Sequence, residues 1–327
     1  MPPRRPSQPD KATEAGAAEQ ANIVMWGAPA CGKTTFLAAL SIALNRRQDG
    51  WKVVGANDAS TQALIRLTNQ LTDDREFPTA TQEAYEHYRW FLLGQADRRV
   101  RRWFGYKKGI EGVKIGLDLM DLGGERFATP RGTVSRELSD SLVKSRGIVF
   151  LFDPVREFDE GDAFKHLFGV LSHLSQQMLE LNQLEGGKLP HHLAVCITKF
   201  DEIRVLETAQ KLYLTAPDPE DELEFPRVQS EDARELFERL CAISASGNAD
   251  MVINALRTYF RQDRVRYFVT SAIGFHVDPQ IGVYDPDDFQ NLIPRADGVS
   301  KIRGTVHPIN VMEPMLWLGQ QLTQKRK

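Results

Sequence analysis

Gly27-Ala28-Pro29-Ala30-Cys31-Gly32-Lys33-Thr34 has the residue types and spacing to grip an anion. Gly27 and Gly32 permit backbone dihedrals that a Cβ resists, so successive N–H groups can turn inward around a phosphate. An apolar run, Ile23–Trp26, precedes the loop, and an amphipathic stretch, Phe36–Leu44, follows it. Strand, glycine loop and helix is the order a phosphate-binding loop requires. The start of the helix adds unpaired N–H groups and the positive end of its dipole. In that setting Lys33 reaches the β- and γ-phosphates and the Thr34 hydroxyl ligates Mg2+. Gly27, Ala30, Cys31, Gly32, Lys33, Thr34 and Thr35 are therefore the candidate phosphate contacts. A plain Gly-rich turn would match the spacing, but not the strand and helix around it.

Other candidates lie downstream. The alternating run Ile115–Met120 ends in Asp121-Leu122-Gly123-Gly124-Glu125-Arg126. A carboxylate at that strand end can hold Mg2+ through water, and Gly124 lets a bare backbone N–H approach a γ-phosphate. Phe77-Pro78-Thr79-Ala80-Thr81 breaks the helical pattern before it. Thr81 is the candidate there for sensing the γ-phosphate and Mg2+; a plain helix N-cap explains it equally well. The apolar run His192–Ile197 leads into Thr198-Lys199-Phe200-Asp201. The Asp201 carboxylate can accept two parallel hydrogen bonds from N1–H and the exocyclic amine of guanine, whereas adenine presents a bare acceptor at N1. The Lys199 stem can lie over a base plane. After Val265–Thr270, backbone N–H groups at Ser271 and Ala272 are placed to meet a guanine carbonyl.

These residues need strands and helices to hold them. The hydrophobic periodicity predicts strands at Ile23–Trp26, Trp51–Val54, Tyr88–Leu93, Val113–Met120, Gly147–Phe152, His192–Ile197 and Val265–Thr270, with Tyr88–Leu93 and Val113–Met120 as an antiparallel pair. Helices are predicted over Thr34–Arg47, Ser60–Leu71, Asp159–Leu184, much of Leu206–Arg261 and Ile309–Leu322. His166 and His173 lack a third ligand, so rim positions explain them better than metal. Residues 1–20, rich in Pro, Arg, Ala, Gln and Glu, read as a disordered tail. The remainder, 21–327, reads as one nucleotide-binding domain with insertions near 50–80, 95–112, 205–262 and 278–307. The basic run Arg98-Arg99-Val100-Arg101-Arg102-Trp103, with Tyr106-Lys107-Lys108 after it, can dock phosphate groups or an acidic partner; a solvated hairpin end that resists edge pairing is the plainer reading.

Composition bounds the rest. A chain of 327 residues with 42% hydrophobic and 26% charged residues is that of a globular protein. A net charge of −3 gives no bulk bias toward nucleic acid, which is not an expected partner. No apolar run suits a membrane span or a secretory leader, and Cys31, Cys196 and Cys241 have no paired spacing. A reducing, cytoplasmic setting is expected.

Gly27–Thr34, Thr81, Asp121–Gly124, Thr198–Asp201 and Ser271-Ala272 stand in the order used by Ras-like GTPases, and the chain resembles the TRAFAC class. Asp-Leu-Gly-Gly looks like the Arf motif and Thr-Lys-x-Asp like the Rho variant. The long insert before Asp121, with Leu151-Phe152-Asp153-Pro154, is similar to the bacterial double-GTPase family. The resemblance implies a three-layer P-loop NTPase α/β sandwich, a mostly parallel sheet with one antiparallel strand and helices on both faces. It further implies GTP/GDP with Mg2+ as bound nucleotide and a protein effector or activating partner. By the same carry-over Lys33 and Thr34 serve phosphate and Mg2+, Asp121 and Thr81 the metal, Gly124 the γ-phosphate, and Thr198, Lys199, Asp201, Ser271 and Ala272 the guanine. Ras-like enzymes place Gln after Asp-x-x-Gly to orient the attacking water. Here Glu125 stands there, so slow hydrolysis is expected, relieved by a partner's arginine or by Arg126 or Arg131. A P-loop ATPase or kinase, and a nucleotide-binding scaffold without turnover, are the competing readings.

Overall fold

The computed structural model describes residues 21–47, 50–78, 86–102, 105–121, 136–218, 221–295 and 300–323. The chain opens with β1 (Ala21–Gly27), α1 (Lys33–Arg46), β2 (Lys52–Gly55) and α2 (Asp58–Asn69), which runs into a π-helical turn at Gln70–Asp74. Next come β3 (Glu86–Arg102), β4 (Gly105–Asp121), α3 (Arg136–Lys144) and β5 (Gly147–Phe152). After α4 (Pro154–Asp159) and α5 (Ala163–Glu180) follow β6 (His192–Ile197) and α6 (Ile203–Lys211). A small hairpin, β7 (Thr215–Pro217) and β8 (Pro226–Val228), precedes α7 (Ala233–Cys241), α8 (Ala249–Tyr259) and β9 (Val265–Val269). The pair β10 (Leu292–Ile293) and β11 (Lys301–Ile302) and the helix α9 (Glu313–Thr323) close it.

Seven strands form one sheet in the order β2-β3-β4-β1-β5-β6-β9. β4, β1, β5, β6 and β9 are mutually parallel, and β3 is antiparallel to both its neighbours. Within this sheet β3 alone therefore runs against the rest. Strand alternation sorts the side chains into two cores. Val24 and Trp26 of β1, with Ile148, Phe150 and Phe152 of β5, join α3, α5, α6, α7 and α8. Ile23, Met25, Val149 and Leu151 face the other way, against α1, α2 and α9. β5 is buried along its whole length, which is why it reads as an unbroken apolar run. The fold is the expected three-layer α/β sandwich.

Boundaries change in two places. The predicted helix Asp159–Leu184 is α5 alone, over Ala163–Glu180: Asp159 is the last residue of the preceding α4, and Gly161, at φ 63°, turns the chain before α5. The segment near 95–112, read as an insertion with a solvated hairpin end, is the outer part of the β3–β4 hairpin, and the two strands run on through it, paired from Glu86↔Asp121 to Arg102↔Gly105. Ladder hydrogen bonds run between backbones, so polar side chains do not end the pairing. The segment 278–307 holds little regular structure, but Asn291 clamps it: its side-chain NH2 donates to Ile273 O and Thr305 O at 3.2 Å, and its Oδ1 accepts from Gly304 N at 2.8 Å.

Candidate functional site

Because the central strands are parallel, their carboxyl ends meet one edge of the sheet. The loop after β1, the Asp121 end of β4, Asp153 after β5, Thr198–Asp201 after β6 and Ser271-Ala272 after β9 all fall there. Open α/β sheets bind ligands in the crevice outside those ends. The structure thus brings the phosphate-loop, guanine-pocket and Asp121 candidates to one place. Thr81, Gly124, Glu125, Arg126 and Arg131 lie outside the described residues.

The loop is built around two left-handed residues, Ala30 at φ 58° and Gly32 at φ 90°. Such residues turn consecutive N–H groups into a concave, anion-seeking surface. Gly27 is needed for a different reason. A Cβ there would lie 2.6 Å from Cys31 Sγ and 2.7 Å from Leu151 O, so the loop can leave β1 against β5 only without a side chain. Lys33, the first residue of α1, is buried, and its Nζ donates to Gly27 O at 3.3 Å and Ala28 O at 3.1 Å. The ammonium is thereby folded back onto the carbonyls at the start of the loop. Thr34 and Thr35 are half-buried at the start of the same helix. Cys31 is fully enclosed, and burial pushes its thiol above the ordinary range despite Lys33 beside it, so its part in the loop is packing.

Asp201 is buried and accepts a short hydrogen bond from the Ser271 hydroxyl. Ser271 Oγ in turn accepts from Gly274 N at 2.8 Å, and the Ser271 amide donates to Ile309 O at 3.1 Å. Ser271 therefore serves Asp201 through its hydroxyl, while its own N–H, expected to face a guanine carbonyl, is already engaged. Burial raises the Asp201 carboxyl to about 6, with the Ser271 hydrogen bond pulling the other way. Ala272, the next residue after Ser271, is half-buried.

Thr198 Oγ1 donates to Phe152 O at 3.0 Å, and its amide donates to the same carbonyl at 2.9 Å, which pins the loop after β6 to the end of β5. Lys199 sits at φ 59° and its Nζ lies 2.6 Å from Asp153 Oδ2. Asp153 was missed as a site residue; its sequence signal is an acid closing a buried apolar strand directly before a proline. Its Oδ1 accepts from Val155 N and Arg156 N, each at 3.1 Å, so one carboxylate caps α4 and holds Lys199. His166 pairs with Asp162 at 3.1 Å, and Arg156 engages the same carboxylate at 2.8 and 2.6 Å.

Among the described residues no group of three or more His, Cys, Asp or Glu could hold a metal. Mg2+ on a bound nucleotide needs less, one or two protein oxygens beside phosphates and waters. Of the residues expected to serve Mg2+, Thr34 stands at the head of α1 and Asp121 is the last residue of β4, at the same edge.

No protein-family model matches the chain, and no curated protein matches it. Among solved structures it is similar to Sup35 complexed with GDP (13% identity, TM-score 0.29, covering 84% of this chain and 44% of that one). It is also similar to the signal recognition particle receptor SRb-GTP/SRX complex from Chaetomium thermophilum (14%, TM-score 0.34, 80% and 93%). A third is Sup35 complexed with GMPPNP (13%, TM-score 0.31, 80% and 41%). The chain thus spans less than half the length of the two Sup35 chains.

Proposed function

We propose that this chain is a guanine-nucleotide switch, binding GTP with Mg2+ and hydrolysing it slowly to GDP and phosphate. The observation that carries the reading is the buried Asp201 carboxylate, steadied by Ser271 on the sheet edge that holds the Lys33 loop. A buried carboxylate held only by neutral donors, the Ser271 hydroxyl and its own backbone amide, is unfavourable unless a further donor pair completes it. The N1–H and exocyclic amine of guanine are such a pair. In an ATPase or kinase the same carboxylate would face the bare N1 acceptor of adenine. In this reading Lys33 and the loop amides hold the phosphates, Thr34, Thr81 and Asp121 the Mg2+, and Gly124 donates to the γ-phosphate. Mg2+ supplies charge neutralisation at the β- and γ-phosphates. Glu125 sets an anion where an attacking water is to be oriented, so turnover is slow until a partner's arginine offsets the charge. The finer likeness to the bacterial double-GTPase family rests on the motifs alone.

The test is equilibrium competition of GTP, GDP and ATP for the purified chain with Mg2+. Guanine preference of about 100-fold or more is expected, lost in Asp201→Asn, with all nucleotide affinity lost in Lys33→Ala. Preference for ATP, or indifference to the base, sinks the reading. Single-turnover cleavage of bound GTP then separates a slow enzyme from a scaffold.

A further inference from the structure

The nucleotide reading uses the loop after β9 and the segment near 77–81 separately, and a third stretch of chain ties them together. β10 and β11 pair as Leu292↔Ile302 and Ile293↔Lys301, and the strap that β11 begins runs on to Ile309 along the Ser271–Gly274 loop. There Ser271 and Ile309 exchange both backbone hydrogen bonds, at 3.1 and 2.8 Å, and His307 N donates to Ile273 O at 2.8 Å. Asn291 joins the two legs by donating to Ile273 O and Thr305 O. Gly274, at φ 67°, has no room for a side chain against the His307 carbonyl. Ser271, Ile273, Asn291 and Ile309 are all buried, so this end of the strap is firmly held.

The other end grips a strained residue. α2 continues into the π-helical turn Gln70–Asp74, which closes on Arg75 at φ 57°. Helices often end on a left-handed residue, but glycine or asparagine usually fills that place, because a Cβ crowds the backbone there. A left-handed arginine persists only where its surroundings over-determine it, and π-helical turns are likewise uncommon outside functional segments. Here the strap supplies the constraint. Ile302 N donates to Arg75 O at 2.9 Å, and Arg75 Nη1 donates to Arg303 O at 3.1 Å. Arg295 pairs with Glu76 at 3.3 Å. Beneath them Leu71, Ile273, Ile302 and Val306 share one small core, with Phe77 packed against it. The side-chain contacts of Arg75 and Glu76 are exposed, so this end opens more readily than the end at Ser271–Gly274.

Ile273 belongs to both ends. It directly follows the base-pocket candidates Ser271 and Ala272, its carbonyl accepts from Asn291 and His307, and its side chain shares the core with Leu71. We infer that residues 291–295 and 300–309 form a clasp that couples the loop of the guanine pocket to the Arg75 turn, the last turn before the 77–81 segment. A guanine base in the pocket steadies Ser271–Ile273, the strap passes that order to Ile302 and Arg303, and the strained turn is held. When the clasp opens, Arg75 leaves the left-handed region and the chain after it is released. By linkage, whatever holds the turn also steadies the base pocket. The clasp rests on the switch reading for its ligand, and adds to it a link between the base and the segment expected to sense the γ-phosphate.

The experiment is hydrogen exchange of the full chain, read by mass spectrometry with and without saturating GDP and Mg2+. The variants are Arg75→Asn/Ile302→Ala and Arg75→Asn alone. Asparagine suits the left-handed turn but cannot reach Arg303 O, and Ile302→Ala thins the shared core while keeping the backbone bond. Circular dichroism and thermal unfolding report that each is folded. GDP is expected to slow exchange at 271–277 in every protein. At 70–77 it should slow exchange by about tenfold in the wild type and by less than about twofold in the double variant. Should the double variant not fold, Arg75→Asn decides: a response at 70–77 smaller than the wild type's supports the clasp, and an equal one overturns it. Protection at 271–277 with none at 70–77 in the wild type, or an undiminished response at 70–77 in the folded double variant, overturns the clasp alone. No protection at either 27–34 or 271–277 shows that GDP is not held there, which removes the switch reading and the clasp with it.

Discussion

Asp201 carries a conflict between stability and recognition. Its carboxyl rises from 3.8 to about 6 because folding removes it from water. A folded value above the unfolded one means the folded state holds the proton more tightly, so stability is lost as pH rises from about 4 through 6. At neutral pH the nucleotide-free protein therefore bears roughly 3 kcal/mol of unfavourable desolvation at this one group. Asp201→Asn should raise nucleotide-free stability at pH 7.5 by up to about that amount in urea unfolding, while removing guanine preference. Guanine needs the ionised form, so GTP affinity should fall by about tenfold per pH unit below 6 in the wild type and stay flat in Asp201→Asn. A wild-type affinity independent of pH between 5 and 7 contradicts that role. Asp153 makes a related case. Asn caps a helix as well as Asp does but cannot pair with the Lys199 ammonium. Asp153→Asn should leave stability within about 1 kcal/mol and weaken GTP and GDP together by about tenfold, read by titration calorimetry. Unchanged affinity would remove Asp153 from the site.

At the scale of the element, the phosphate loop depends on how closely β1 and β5 approach. The atoms a Gly27 Cβ would meet include the Leu151 carbonyl, part of a fully buried strand that cannot swing aside. Gly27→Ala should destabilise the nucleotide-free protein by about 1–3 kcal/mol in urea unfolding. It should also weaken inorganic pyrophosphate binding, since the loop must shift to relieve the overlap. If stability is unchanged, the glycine serves the phosphate alone. Gly32 differs: its Cβ would meet nothing, and φ 90° is what demands glycine. The spacing of the loop was legible in sequence. The two separate reasons for its glycines were not, because one is a backbone torsion and the other a contact with a strand more than a hundred residues away.

For the whole molecule, a switch requires that nucleotide state change chosen segments while the sheet stays fixed. Hydrogen exchange should differ between GDP and a non-hydrolysable GTP analogue around 77–81 and 121–136, and remain the same in β5 and β6. Equal exchange in both states would leave binding without switching. The sequence by itself determined the central strands, the amphipathic helices and the phosphate loop, because apolar periodicity and Gly spacing are local consequences of burial and torsion. His192–Ile197 and Gly147–Phe152 could be read to the residue because both faces of each strand are covered. Only the tertiary structure decided that Lys199 would spend its charge on Asp153, that Ser271 would steady Asp201, and that β3 and β4 would run on past the sheet as a cationic ribbon. The physical reason is common to the three: each pairs residues from segments whose neighbourhood is set by strand order and register, which the sheet assembles and no local pattern encodes.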